Sequence, residues 1–269
     1  MQREFLRAPL GKLGTPVCRI GLSATYRPGR ATIHKAIDEG LNYFQFFGFD
    51  NQMVGVLRDT IGASRDQYVL ASGAYNYIWG HQNLRRALER RLRQVRTDYL
   101  DIFHLFGVTQ RKYFTARVRE ELQAVRESGL VRGVAISTHD REFAGELLRE
   151  GTLDAAMIHY NAAQRGAEVE VFPRLPESNP AVVAFTATRW GSLLRRPRGY
   201  PQDGQVPTAG MCYRFVLGNP AVHVCMMAPS NLGQFQSNLE EIRRGPLAEV
   251  DIKFMRQFGD AVYRSDKRR

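Results

Sequence analysis

Four side chains that can move a proton stand at or just beyond the ends of predicted strands. Tyr75 follows the third predicted strand and His104 ends the fourth, while Asp50 and His139 lie in loops after the second and fifth. A phenol or an imidazole can donate a proton to a reacting oxygen, and an imidazole beside a carboxylate can act as general base and acid. These residue types indicate acid–base chemistry as a candidate activity.

Each of these side chains also has a structural interpretation. Tyr75 can pack over the rim of the fold as a loop aromatic. Side chains alternate along a strand, so His104 and Phe106 are predicted to face the same way, with His104 one layer deeper. A core hydrogen bond is the preferred explanation of a histidine at that depth, and catalysis is the alternative. Asp50 and His139 can be an acid–base pair or two solvated loop residues.

Short runs rich in Val, Ile, Tyr and Phe alternate along the chain with longer segments of helical period. The predicted strands are Val17–Gly21, Tyr43–Phe47, Tyr68–Ser72, Tyr99–His104, Val131–Ile136, Ala155–Ile158, Ala181–Phe185 and Val222–Met226. The predicted helices include Ala31–Glu39, Gln82–Gln94, Ala116–Glu127, Glu142–Arg149 and Leu232–Arg243. Eight such units in 269 residues favour an α/β fold, a closed (β/α)8 TIM barrel. An open doubly wound sheet is the alternative, but no G-x-G-x-x-G follows the first strand.

The chain is predicted to form one domain over residues 1–269, because no linker or repeat interrupts it. The segment Leu10–Gly14 has two glycines that can supply positive φ, which predicts a short N-terminal β-hairpin that plugs the barrel bottom. Residues 264–269 are basic and are predicted to be a frayed tail.

Composition and charge restrict the class of protein. With 43% hydrophobic residues, 24% charged residues and no apolar run of about 20 residues, the sequence is typical of a globular cytoplasmic protein without a membrane partner. The net charge of +11 comes without a recognition-helix motif, so solvated basic faces are expected rather than nucleic-acid binding. Cys18, Cys212 and Cys225 form no C-x-x-C pair, which predicts buried thiols and no metal site. The choice between monomer and homo-oligomer stays open.

Six motifs in order resemble those of the aldo-keto reductases. They are Leu10–Lys12 continuing to Ile20–Leu22, Ala36–Phe44, Arg96–Asp101, Gly129–Ser137, Met157–Asn161, and Pro229–Asn231 with Gln234 and Asn238. The resemblance implies a (β/α)8 barrel in which NADPH reduces a carbonyl at the C-terminal mouth. In that family a tyrosine donates the proton, a lysine–aspartate pair lowers the tyrosine pKa, and a histidine polarises the carbonyl.

This sequence departs from the family at all four catalytic positions. Gln45 stands in place of the aspartate, Gly73 in place of the lysine and Phe106 in place of the histidine, and the segment Gly48–Asn51 has no tyrosine. Losing both members of a buried ion pair can be nearly neutral, whereas losing one is costly. The departures therefore predict an apolar mouth and a non-standard proton donor, with Tyr75, His104, His139 and Asp50 as the candidates.

The positions that bind the cofactor in the family are better kept. The resemblance implies that Ser137 and Thr138 hold the nicotinamide carboxamide and that Phe185 stacks on its ring, although Met157 replaces a glutamine that also binds this carboxamide. The remaining predicted cofactor residues lie at a helix N-terminus, which favours phosphate, and are Ser230, Asn231, Gln234 and Asn238. Because no Lys or Arg stands between Ser230 and Gln234, the choice of NADP or NAD stays open.

Three functions are compatible with these residues. The leading prediction is an NAD(P)H-dependent oxidoreductase that acts on a small carbonyl or alcohol. A catalytically inactive barrel that binds nucleotide or ligand is the second. The third is a cofactor-independent lyase or isomerase that uses His104, His139 and Asp50.

Overall fold

The computed structural model describes residues 5–75 and 83–266 of the chain. Its strands are β1 (Arg7–Pro9), β2 (Pro16–Cys18), β3 (Ile20–Ser23), β4 (Tyr43–Gln45), β5 (Val69–Tyr75), β6 (Leu100–Phe106), β7 (Val131–Thr138), β8 (Ala155–His159), β9 (Ala181–Phe185) and β10 (Val224–Met227). Strands β3 to β10 close into a barrel in chain order, with β10 beside β3 and every described pairing parallel. The predicted (β/α)8 barrel is confirmed.

Helices connect the strands on the outside of the barrel. They are α1 (Arg30–Asp38), α2 (Asn51–Thr60), α3 (Leu84–Val95), α4 (Ala116–Glu127), α5 (Arg141–Arg149), α6 (Ala167–Glu170), α7 (Ala209–Leu217), α8 (Leu232–Ile242) and α9 (Glu249–Asp266). Each long helix buries one apolar stripe, as Leu84, Leu88 and Leu92 do in α3. Parallel strands need such crossovers, and the crossovers bring all the carboxyl ends of the strands to one mouth.

The N-terminal hairpin closes the opposite end of the barrel. Strands β1 and β2 pair antiparallel, and a 3-10 turn over Gly11–Leu13 joins them. Leu10 and Val17 are fully buried and pack with the side chains that fill the barrel. The predicted plug is confirmed, but the strand predicted over Val17–Gly21 is wrong in one respect. Arg19 separates the hairpin strand from the barrel strand, which begins at Ile20.

Two strands end later than predicted, and this changes the position assigned to a candidate functional side chain. Strand β5 continues to Tyr75 and β6 to Phe106, so Tyr75 ends a strand rather than standing in a loop. The predicted frayed tail is wrong for residues 264–266, which continue α9, and residues 267–269 lie outside the described chain.

The predicted state of the thiols is confirmed, since all three cysteines are buried and free. Within residues 5–75 and 83–266, no helix is both long and apolar enough to cross a membrane.

Candidate functional site

A cavity of about 350 Å³ opens at the mouth, where the carboxyl ends of the strands converge. It is lined by Ser23, Thr25, Tyr26, Gln45, Phe47, Phe49, Tyr75, Phe106, Ser137, Met157, Phe185, Thr186, Ala187, Thr188, Trp190, Tyr213, Met226 and Ala228. Every one of these described residues is uncharged at neutral pH. Binding sites for small organic ligands are typically concave and mostly apolar with a few placed polar groups, and this cavity fits that description.

One wall of the cavity is aromatic. The ring of Tyr75 lies 5.1 Å from that of Phe106 and 6.2 Å from that of Phe47, measured between centroids. Phe47 in turn stacks on Phe49 at 5.5 Å. This packing holds Tyr75 at the rim with its ring against the wall. Tyr75 is therefore both a packing residue and a phenol of the cavity.

His104 lies beneath this wall, as its predicted inward direction requires. Its imidazole is fully buried and stacks on Phe106 with ring centroids 5.2 Å apart and planes 3° from parallel. Neither ring nitrogen has a hydrogen-bond partner of good geometry. Burial lowers the pKa of His104 to about 3, opposed only in part by the backbone of Ser72. The ring is neutral at physiological pH, and it does not line the cavity.

Asp50 and His139 have different partners in the structure, so the acid–base pair, one of the two alternatives for these residues, is not formed. Asp50 is the N-cap of α2, where its carboxylate accepts a hydrogen bond of 3.1 Å from the Gln52 amide. Burial raises the pKa of Asp50. His139 instead lies against His159, with ring centroids 3.9 Å apart. Of the four candidate proton donors, all of them in the described chain, only Tyr75 lines the cavity.

His159 is a site residue that the sequence analysis missed. Its ring packs edge-on against Phe185 at 4.3 Å and against Trp190 at 5.0 Å. Burial and the nearby His139 lower its pKa to about 3. The position was available from strand alternation, because His159 is two residues beyond the inward-facing Met157. His159 supports the two aromatic residues that line the cavity from behind.

Among the described residues, no group of three or more His, Cys, Asp and Glu side chains is placed to hold a metal ion.

The residues predicted to hold a nicotinamide differ in how available they are. Ser137 and Phe185 line the cavity. Thr138 is buried, and its hydroxyl donates to the Val108 carbonyl oxygen at 2.5 Å and accepts from the Asp140 amide at 2.9 Å. The Thr138 hydroxyl is thus used in structural hydrogen bonds, and Ser137 is the free polar side chain of this pair.

The helix predicted to bind phosphate is α8, and its first turn is closed by side chains. Asn231 is the N-cap and accepts from the Gln234 amide at 2.9 Å, while the Gln234 side chain accepts from the Ser230 amide at 2.9 Å. This is a reciprocal capping arrangement. Asn238 lies in the helix interior with its amide 3.7 Å from the Met227 sulfur. Ser230, Asn231 and Gln234 are exposed, so an anion can approach the helix N-terminus.

Two of the substituted catalytic positions have well-defined surroundings. Gln45 is buried, its amide nitrogen lies 3.4 Å from the Met157 sulfur, and its carbonyl oxygen has no hydrogen-bond partner. Gly73 lies so close to β6 that an added Cβ would be 1.9 Å from the His104 carbonyl oxygen. A lysine at position 73 is therefore incompatible with this backbone.

The sequence was also compared with protein families and with known proteins. The model of the aldo/keto reductase family matches residues 30–203. Over 262 residues the chain is 22% identical to the uncharacterized oxidoreductase YqkF of Bacillus subtilis (strain 168), covering 82% of this chain and 84% of that protein.

Solved structures show the same fold. The holo form of aldo-keto reductase AKR11C1 from Bacillus halodurans superposes with a TM-score of 0.77 at 19% identity, covering 95% of this chain and 96% of that one. The aldo/keto reductase from Klebsiella pneumoniae in complex with NADP and acetate superposes with a TM-score of 0.73 at 21% identity, covering 95% of both chains.

Proposed function

The chain belongs to the aldo/keto reductase family of oxidoreductases, and we propose that it transfers hydride between a nicotinamide dinucleotide and a small carbonyl or alcohol. The observation that carries the proposal is the uncharged cavity at the mouth, which Ser137 and Phe185 both line. A hydroxyl and an aromatic face are the two groups that a nicotinamide needs for its carboxamide and its ring. The Klebsiella pneumoniae relative, which was solved with NADP, supports the same cofactor class.

The described residues fit such a cofactor in its nicotinamide half and at one phosphate position. Ser137 would hold the carboxamide and Phe185 would stack on the ring, held in place by His159 behind it. The exposed N-terminus of α8 offers backbone N–H groups and a favourable dipole to a phosphate. With no Lys or Arg from Ser230 to Gln234, these residues provide no cation for a 2′-phosphate, and both NADPH and NADH are candidates.

Tyr75 is the proposed proton donor. When bound, the cofactor supplies the hydride that reduces the carbonyl carbon. The Tyr75 hydroxyl would donate its proton to the carbonyl oxygen, so that an alcohol forms and the phenolate regains a proton from solvent at the open rim. The aromatic wall to which Tyr75 belongs would favour a substrate with an apolar body packed beside the hydroxyl.

The first experiment is a fluorescence titration of the purified protein with NADPH and NADH, followed by a carbonyl substrate screen. We expect binding in the micromolar range and turnover that falls by about 10²–10⁴-fold in Tyr75→Phe, with unchanged nucleotide affinity. Tyr68→Phe is the control, since Tyr68 packs on Phe44 away from the mouth. No binding of either nucleotide would refute the proposal. Full activity of Tyr75→Phe would refute the role of Tyr75 as proton donor.

A barrel that binds nucleotide without turnover is the second candidate function. Gln45, Gly73 and Phe106 carry no ionisable group at three of the family's catalytic positions, and this favours it. Nucleotide binding with no reduction of any carbonyl in the screen would select it. We do not favour the lyase or isomerase alternative, because the cavity lining does not include His104, His139 or Asp50.

A further inference from the structure

The carboxamide of Gln45 is half-satisfied in a buried place. The side chain is 2% exposed, its nitrogen faces the Met157 sulfur at 3.4 Å, and its oxygen has no partner. A sulfur is a weak acceptor, and a buried carbonyl oxygen without a donor lowers stability compared with an apolar side chain of the same size. The unpaired oxygen therefore indicates a hydrogen-bond donor that arrives with a ligand.

Met157 links Gln45 to Ser137, and the part of the cavity that these three residues line is called the corner below. Ser137 is the register partner of Met157 across β7 and β8. The corner thus offers one hydroxyl donor from Ser137 and one carbonyl acceptor from Gln45. A primary carboxamide has the complementary pair, a carbonyl oxygen that accepts and an NH₂ group that donates.

We propose that Gln45 accepts a hydrogen bond from the NH₂ group of the nicotinamide carboxamide, while Ser137 donates to the carbonyl oxygen of that carboxamide. This inference rests on the proposed function and gives Gln45 a binding role. Met157 cannot accept strongly through its thioether, and Gln45, which contacts it, supplies the missing acceptor. Phe185 would support the ring while these two residues set its orientation.

The test compares a nucleotide with an analogue that lacks only the NH₂ group. The 3-acetylpyridine analogue of the dinucleotide keeps the carbonyl oxygen and replaces NH₂ with a methyl group. Dissociation constants of the oxidised nucleotide that binds, NAD⁺ or NADP⁺, and of its analogue are measured by calorimetry. The proteins are wild type, Gln45→Met, Ser137→Ala and, as a control, Gln123→Met at an exposed position of α4.

We expect Gln45→Met to weaken the natural nucleotide by roughly tenfold and to leave the analogue unchanged, because only the natural nucleotide donates to Gln45. Ser137→Ala should weaken both, because both keep the carbonyl oxygen. The urea midpoint of ligand-free Gln45→Met should be no lower than that of wild type, which would show that the variant folds, and a higher midpoint would show that the unpaired oxygen carries a cost.

The measurements separate failure of the proposed function from failure of the Gln45 role. If wild type binds neither nucleotide, the proposed function is refuted and this inference with it. If wild type binds both compounds, and Gln45→Met weakens them by the same factor or weakens neither, the role of Gln45 is refuted and the proposed function stands.

Discussion

Gly73 explains at the scale of one residue why the catalytic lysine of the family has no counterpart here. An added Cβ would meet the His104 carbonyl oxygen at 1.9 Å and the His104 carbonyl carbon at 2.7 Å. We expect Gly73→Ala to destabilise the protein by about 2–3 kcal/mol, since backbone atoms on two paired strands must separate. Urea unfolding measures this.

Gly62→Ala is the matched control for that substitution, because an added Cβ at Gly62 meets nothing within 4 Å. Equal stability of the two variants would contradict the close approach of β5 and β6. The same contact predicts that introducing a lysine at position 73 does not by itself restore a family-type site.

Several side-chain roles at this scale could not be obtained from the sequence. The sequence placed Asp50, Thr138 and Asn231 correctly near strand or helix ends. It did not show that each uses its oxygen in a local hydrogen bond to the backbone, as the N-caps Asp50 and Asn231 do. A polar residue beside a site and one that caps a helix have the same sequence signature, and only the geometry separates them.

At the scale of elements, helix α3 fixes the loop after β4. The Arg91 guanidinium lies where a Cβ on Gly48 would be, 2.0 Å from its Cζ atom, and donates to Gln94 at 3.0 Å. Gln94 donates in turn to the Gly48 carbonyl oxygen at 2.8 Å. Burial lowers the pKa of Arg91 to about 10. The loop that precedes Phe49 is thereby attached to the outer helix.

A double-mutant cycle tests this attachment. Gly48→Ala should cost about 1–3 kcal/mol in wild type because it displaces Arg91, and clearly less in an Arg91→Ala background, where the space is open. The free energies of unfolding of the four proteins give the coupling. Additive costs would show that Arg91 does not occupy the space over Gly48.

A buried carboxylate, that of Asp154, links the hairpin plug to the barrel in addition to the apolar packing of Leu10 and Val17. Asp154 is 2.7 Å from Lys12 of the hairpin turn and 2.7 Å from Arg126 of α4, and it accepts from the Val134 amide at 3.0 Å. Its side chain is 5% exposed. We expect Asp154→Ala to destabilise by about 3 kcal/mol, because two cations and a buried amide lose their partner.

The exposed Asp59, paired with Arg58 on α2, is the control for this change, and Asp59→Ala should cost well under 1 kcal/mol. Thermal unfolding compares the two variants. Similar melting temperatures would show that Asp154 does not stabilise the attachment of the hairpin plug to the barrel.

Elements were largely predictable from the sequence because each strand is a short apolar run and each helix has one apolar stripe. Ala116–Glu127 and Ala181–Phe185 were predicted to the residue. The carboxyl ends of β5 and β6 were predicted too short, since Gly73 in β5 and His104 in β6 break the pattern of strand-forming residues. Their strand geometry comes from pairing with neighbours that lie far away in the sequence.

At the scale of the whole molecule, histidines buried in separate parts of the barrel act together when the pH falls. Burial lowers the pKa of His104 and of His159 to about 3 and also lowers that of His223. In the unfolded chain a histidine titrates near 6.5, so below that pH the unfolded state binds protons that the native state does not. The stability these groups contribute is complete above pH 6.5 and is lost as the pH falls towards 3.

We therefore expect the free energy of unfolding to decrease between pH 6.5 and pH 4.5, with each such histidine contributing up to about 1.4 kcal/mol per pH unit. His104→Leu should make the loss over this interval smaller by about 2 kcal/mol. His34→Leu, at an exposed position of α1, is the control substitution. Urea unfolding at several pH values measures the slope within each protein, so a pH-independent stability change caused by the substitution itself does not affect the comparison. Parallel curves for wild type and His104→Leu would show that His104 is protonated in the folded protein as readily as in the unfolded chain. That result would contradict a neutral, buried imidazole beneath Phe106.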